Sequence, residues 1–200
     1  MTPSESPEPA NRSTELLWRE RSQLLVIDVQ EKLLPVIHGS ETLTQSIRFL
    51  LDCAMLLDVP VVVSEQYPNG LGPTVEALQT HQSLNSARRF DKLKFSAADG
   101  FCTVADDDRD QVLVVGIEAH ICVLQTTLDL IARGFRVFVA ADAVSSRREL
   151  DCRQALNRVR DAGGIVGSAE GFVFEWCETA GTDIFRELSR IVRRRDSTDH

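Results

Sequence analysis

The sequence holds no apolar run approaching the roughly 20 residues that a membrane-spanning helix needs. It has no excess of positive charge. The 30 acidic and 22 basic side chains leave a net charge of −8, which argues against a nucleic-acid surface and an anionic membrane surface. Cysteines are few and without close-paired spacing: Cys53, Cys102, Cys122, Cys152 and Cys177, an odd five. That speaks against a disulfide framework and a zinc site and predicts reduced thiols in the cytoplasm. The histidines, His38, His81, His120 and His200, lack metal-ligand spacing, so neither a metal nor another cofactor is expected. His38 and His81 read as surface or loop residues. There is no internal repeat and no Ser/His/Asp order. The start of the chain lacks the basic head and apolar centre of a signal peptide. Its Pro, Ser and Glu content predicts a flexible tail over residues 1–20, ahead of one domain at 21–195.

What is present alternates regularly. Strands are predicted at Leu24–Val29, Pro60–Ser64, Arg89–Phe95, Val112–Val115, Phe135–Ala141 and Ile165–Ser168. Helices are predicted at Thr42–Leu57, Thr74–Leu78, Glu149–Ala162 and Asp183–Arg194, with a short helical lead-in over Ser13–Arg21. The chain length of 200 residues suits one core. This alternation predicts an α/β fold whose parallel sheet is covered on both faces and joined by right-handed crossovers.

The stretch Gln111–Asp129 carries the most chemistry. Val112 to Val115 reads as a strand buried on both faces. After Gly116, the residues Ile121, Leu124, Leu128 and Ile131 follow helical spacing. Cys122 therefore falls on the first helical turn after a buried strand, at the sheet edge where open α/β folds bind ligands. Helix-start N–H groups favour a thiolate and can hold an oxyanion. An inert core thiol is the competing reading. Asp28, at the end of the first strand, and a lysine, either Lys92 or Lys94, lie near the same edge. In an extended strand both lysines would share one face, so alternation does not choose between them. A carboxylate to take the thiol proton, an ammonium to lower the thiol pKa and amides to hold an oxyanion form a set suited to acyl transfer.

Five segments in order carry a resemblance: Leu25-Val26-Ile27-Asp28-Val29-Gln30, Ser64-Glu65-Gln66-Tyr67-Pro68 with Gly70 to Thr74, Lys92-Leu93-Lys94-Phe95-Ser96, Gly116 to Val123, and Ala141 to Arg147. The chain resembles the isochorismatase-like cysteine hydrolases from Gln23 to about Arg193, and within them the isochorismatase domain-containing subgroup. The resemblance implies a three-layer α/β/α sandwich, Rossmann-like, around a mainly parallel six-stranded sheet. It implies a catalytic Asp28–Lys92–Cys122 triad, since Phe95-Ser96 sets the family offset on Lys92 and leaves Lys94 to solvent or a surface acid. It implies a cis Ile117–Glu118 peptide and an oxyanion hole from the N–H groups of Glu118 and Cys122. It implies a homo-oligomer.

Departures narrow the substrate. Nicotinamidases of this superfamily carry an Asp-x-His metal cluster that is missing between Asp58 and His81. True isochorismatases lack the cysteine. What remains is a metal-independent cysteine hydrolase acting on a small amide, carbamoyl or related acyl compound through a thioester on Cys122. Gln30, Leu33, Gln66, Tyr67 and His120 are expected to bind the substrate. The alternative is a non-catalytic binding or scaffold protein that keeps the fold.

Overall fold

The computed structural model describes residues 12–196. Along the chain run β1 (Ser22–Ile27), α1 (Ser40–Leu56), β2 (Val61–Gln66), α2 (Pro68–Leu71), α3 (Glu76–Gln79), β3 (Arg88–Lys92), α4 (Ala98–Val104) and β4 (Gln111–Ile117). After a π-helical turn at Ala119–Val123 come α5 (Leu124–Ala132), β5 (Arg136–Ser145), α6 (Glu149–Asp161), β6 (Ile165–Gly167), α7 (Ala169–Cys177) and α8 (Asp183–Asp196). The six strands form one sheet in the order β3-β2-β1-β4-β5-β6, and every pairing is parallel.

Strand β1 shows why two helical layers are needed. All of its residues are buried, yet successive side chains enter opposite cores. Leu24 and Val26 join a cluster with Leu43, Ile47 and Leu50 of α1, Phe172 and Trp176 of α7 and Leu188 of α8. Leu25 and Ile27 join Phe101 of α4, Leu124 and Leu130 of α5 and Val159 of α6. Each fully buried side chain of this kind contributes about 1.5–3 kcal/mol of transfer free energy. The three-layer sandwich is the arrangement that buries both faces of such a strand.

The strand order reverses between β1 and β4, which creates a crevice at their carboxyl ends. Gly116 lets those ends meet. It stands at φ +115, and a Cβ there would lie 2.1 Å from the Ile27 carbonyl oxygen. The β4–β5 register shifts at the same place, between Val114 and Gly116. Gly116→Ala combines a disfavoured backbone with a clash against main chain. It should destabilise the protein by about 2–6 kcal/mol in denaturant unfolding. A loss below about 0.5 kcal/mol, the range of ordinary surface substitutions, would show that β4 does not need this approach.

The predicted lead-in differs from what is observed. Only Arg19–Arg21 forms a helical turn. The rest is held by side-chain contacts: the Leu17 and Trp18 N–H groups donate to Glu175 Oε2 at 2.8 Å and Gln111 Oε1 at 2.7 Å, and Leu17 is fully buried. The segment drawn as tail to residue 20 is therefore docked, from Arg12, whose guanidinium donates to the Glu175 carbonyl at 2.5 Å, while residues 1–11 and 197–200, including His200, lie outside the described residues. His81 lies in the loop after α3, one of the two places expected of it, but not at the surface. It is buried and bridges Asp52, 3.0 Å from Nε2, and Ser83, 2.8 Å from Nδ1.

Candidate active site

Asp28 follows β1, Lys92 ends β3 and Cys122 lies in the turn after β4. The parallel sheet puts all of these ends on one edge, and the reversal at β1/β4 places Asp28 and Cys122 side by side. Asp28 is fully buried and Cys122 is only 6% exposed. The Lys92 ammonium donates to Asp28 Oδ2 at 2.6 Å, to Gln66 Oε1 at 2.7 Å and to the Phe95 carbonyl at 3.0 Å, with the Lys94 carbonyl at 3.3 Å. Its donors are fully used. Strand β3 ends at Lys92, so Lys94 lies in the following loop rather than on a shared strand face. Lys94 is exposed and meets Asp99 at 2.8 Å.

The electrostatics differ from the expectation of a lowered thiol pKa. Burial pushes the Cys122 thiol up, and the Asp28 charge adds to that, to about 12; Lys92 only opposes the rise. The helix-start and lysine effects are outweighed because the sulfur is taken out of water next to a carboxylate. Asp28 is also raised above the usual carboxylate range. Burial is the main cause, and Lys92, Ser64 and Cys122 work against it. Burial thus favours the protonated thiol at Cys122 over a standing thiolate, beside the Asp28 carboxyl.

Around this centre the backbone is held in unusual conformations. Asp28 and Tyr67 stand at φ +52 and +39, a region that non-glycine residues seldom occupy. The Ile117–Glu118 peptide is cis. Glu118 is buried, and its Oε2 accepts from the Arg147 backbone N–H at 3.0 Å and Nε at 3.1 Å. The carbonyl of Glu118 accepts from Ile121 and Val123 N–H at 3.0 and 3.2 Å, which builds the wide turn that presents Cys122. Thr126 Oγ1 closes that turn by donating to the Cys122 carbonyl at 2.6 Å.

Two residues expected to bind substrate are placed otherwise. Gln30 is fully buried. Its Nε2 donates to the Gln66 and Gly72 carbonyls at 3.0 and 2.6 Å, and its Oε1 accepts the Gln66 N–H at 2.7 Å. Its amide is spent on stitching β1 to the loop after β2. Gln66 is buried too. It accepts from Lys92 and donates from Nε2 to the Leu93 carbonyl at 2.9 Å, so it aims the ammonium. Leu33 is half-buried and packs on the α1-side core. Tyr67 is about half exposed, at 52%. His120 is half-buried, its Nδ1 2.9 Å from Ser146 Oγ. No role was read for Ser64, whose Oγ donates to Asp28 Oδ1 at 2.7 Å. Its signal was available: a hydroxyl inside a valine run, Val61-Val62-Val63-Ser64. Among the described residues there is no group of three or more His, Cys, Asp or Glu able to hold a metal, and no helix is long and apolar enough to cross a membrane.

Comparison with known proteins adds the following. The isochorismatase domain model matches residues 22–171. The secreted isochorismatase effector Isc1 of Phytophthora sojae is 38% identical over 184 residues, covering 86% of this chain and 84% of that protein. Isochorismatase domain-containing protein 2 of Homo sapiens is 38% identical over 175 residues, covering 86% and 83%. The solved structure of the MAR1 ribonuclease from Caenorhabditis elegans superposes with a TM-score of 0.80 at 36% identity, covering 88% of this chain and 92% of that one.

Proposed function

The chain belongs to the isochorismatase domain family of hydrolases, and from that premise we propose that it is a metal-independent cysteine hydrolase of small amide, carbamoyl or related acyl compounds. The observation that carries this reading is the convergence of Asp28, Lys92 and Cys122 from three separate strand ends at one buried site, where Lys92 and Asp28 are hydrogen-bonded and the thiol lies within electrostatic reach of both. In the reaction, Asp28 takes the Cys122 proton as Sγ attacks the carbonyl carbon. The oxyanion is assigned to the N–H groups of Glu118 and Cys122. Asp28 returns the proton to the leaving amine as the C–N bond breaks, leaving a thioester. Water, deprotonated by Asp28, then releases the acid and restores the thiol. Leu33, Tyr67 and His120 are assigned to the substrate-facing wall, while Gln30 and Gln66 are assigned to positioning. The ribonuclease name of the Caenorhabditis elegans relative is not extended to this chain, because the net charge of −8 opposes a polyanion and the ammonium of Lys92 has no donor left for a phosphate.

The test of the class is a panel of small amides and carbamoyl compounds, each followed by mass spectrometry of the Cys122 peptide for a trapped acyl group. Turnover with no acyl-Cys122 under rapid quenching would remove the covalent step. The base has its own test. Because Asp28 must be ionised to accept the proton and its carboxyl is held above the usual range, the acid limb of kcat/KM should lie above that of an ordinary aspartate. Asp28→Asn keeps the size and most hydrogen bonds but cannot accept the proton. It should stay folded, lose about 10²-fold or more in kcat/KM and label more slowly at Cys122. Unchanged kinetics would make Asp28 a structural residue only.

A further inference from the structure

Ser64 is fully buried in β2, pairs in register with Ile27 and grips the next residue, Asp28, at two points. Its carbonyl accepts the Asp28 N–H at 3.1 Å, and its hydroxyl donates to Oδ1 at 2.7 Å. Lys92 holds the other carboxylate oxygen at 2.6 Å. A hydroxyl in a buried strand position is costly unless it is bonded, and a fourth valine would carry no such cost. One residue therefore pins both the backbone of Asp28, which stands at φ +52, and the plane of its carboxylate.

We propose that Ser64 is a positioning residue of the reaction, its hydroxyl turning the Asp28 carboxylate so that a free lone pair faces the Cys122 thiol. The inference rests on the cysteine-hydrolase reading and deepens it. The charged and titratable groups that face Asp28 are Lys92 from β3 and Cys122 from the turn after β4. Glu118, beside them in sequence, directs its carboxylate to Arg147 instead. A hydroxyl donating to a carboxylate favours its ionised form, so removing the hydroxyl should make Asp28 harder to ionise as well as looser. The proton shared with the thiol then leaves at higher pH.

The experiment needs no substrate. The intact protein is treated with iodoacetamide across the pH range, and the labelling rates of Cys122 and Cys53 are read by peptide mass spectrometry. In the labelling step an Sγ–C bond forms, iodide leaves with its electron pair, and the thiol proton passes to Asp28 and then to solvent. Ser64→Ala is expected to move the acid limb of Cys122 labelling up by about one to two pH units and to slow it about 10–100-fold at neutral pH. Cys53, fully buried in the α1-side core, should not change. The isosteric pair Ser64→Thr and Ser64→Val adds the same bulk and differs only in the hydroxyl. Thr should keep the native limb and Val should shift it, which decides the matter if the alanine variant unfolds. An unmoved limb in Ser64→Ala and in Ser64→Val overturns the proposal, even if stability drops, because packing alone would explain that. A native protein that labels Cys122 no faster than Cys53 and shows no acid limb overturns the hydrolase reading, and the role of Ser64 with it.

Discussion

Cys122→Ala is expected to abolish hydrolysis, a loss of about 10³-fold or more in kcat, while the protein stays folded. Cys122 belongs to the α5-side core and is 6% exposed. Deleting one sulfur removes little packing, and the turn around it rests on backbone bonds from Glu118 and on Thr126. The same substitution removes the atom that the proposed thioester is built on. Circular dichroism and thermal unfolding should match those of the native protein within a few degrees. A folded Cys122→Ala protein with near-normal turnover would sink the covalent mechanism and return the thiol to the category of inert core cysteines. The raised thiol pKa sharpens the contrast. A thiol held at about 12 has almost no standing thiolate at neutral pH, so fast labelling of Cys122 would itself report proton transfer to Asp28.

The second large effect separates two lysines. Lys92→Met removes the ammonium that balances a fully buried carboxylate. Breaking a buried pair on one side costs about 3–5 kcal/mol when the remaining charge stays ionised, and less if it takes up a proton. Asp28 would take one up, and in doing so would stop being a base. Lys92→Met should thus lose at least as much activity as Asp28→Asn, about 10³-fold. It should also lower stability measurably, because Gln66 and the Phe95 carbonyl lose their donor at the same time. Lys94→Met removes an exposed ion pair with Asp99, and exposed pairs contribute about 0–1 kcal/mol. It should leave activity and stability within error. Reversed results would mean that the lysine feeding the site is the loop residue and that β3 continues beyond Lys92.

The sequence made most of the sheet legible because its central strands are short apolar runs, unlike the charged β3. Val112–Val115 and Leu24–Val29 lie inside or across the observed β4 and β1. The placement of Asp28 and Cys122 followed from strand ends alone. Other features had no local trace. The termination of β3 at Lys92 depends on Lys92 turning into the sheet edge, a long-range choice that alternation could not reveal. Gln30 and Gln66 read as pocket residues because polar side chains near a site usually are. Their amides are instead taken by main chain up to 42 positions away and, for Gln66, by the Lys92 ammonium. The direction of the thiol pKa turned on burial, which a helix-start argument does not contain. Helices α4 and α7 escaped the reading because Gly100 and Gly171 interrupt them, although Phe172, Val173 and Trp176 line up for the core.

The order of strands also schedules the birth of the site. Asp28 and Lys92 are joined across 64 residues, and both belong to the β3-β2-β1 half of the sheet. A ribosome releases that half first, since domains emerge from their N-terminal side. The acid and the ammonium are therefore both synthesised before the sulfur. Cys122 arrives later, when β4 docks along the free edge of β1. A chain halted before residue 122 would hold the two charges without the thiol, and the proposed acid–thiol pair forms only once β4 has docked along β1. Under the proposed mechanism, transfer of the Cys122 proton to Asp28 is thereby a readout of completed assembly, since it requires β1 and β4 docked side by side.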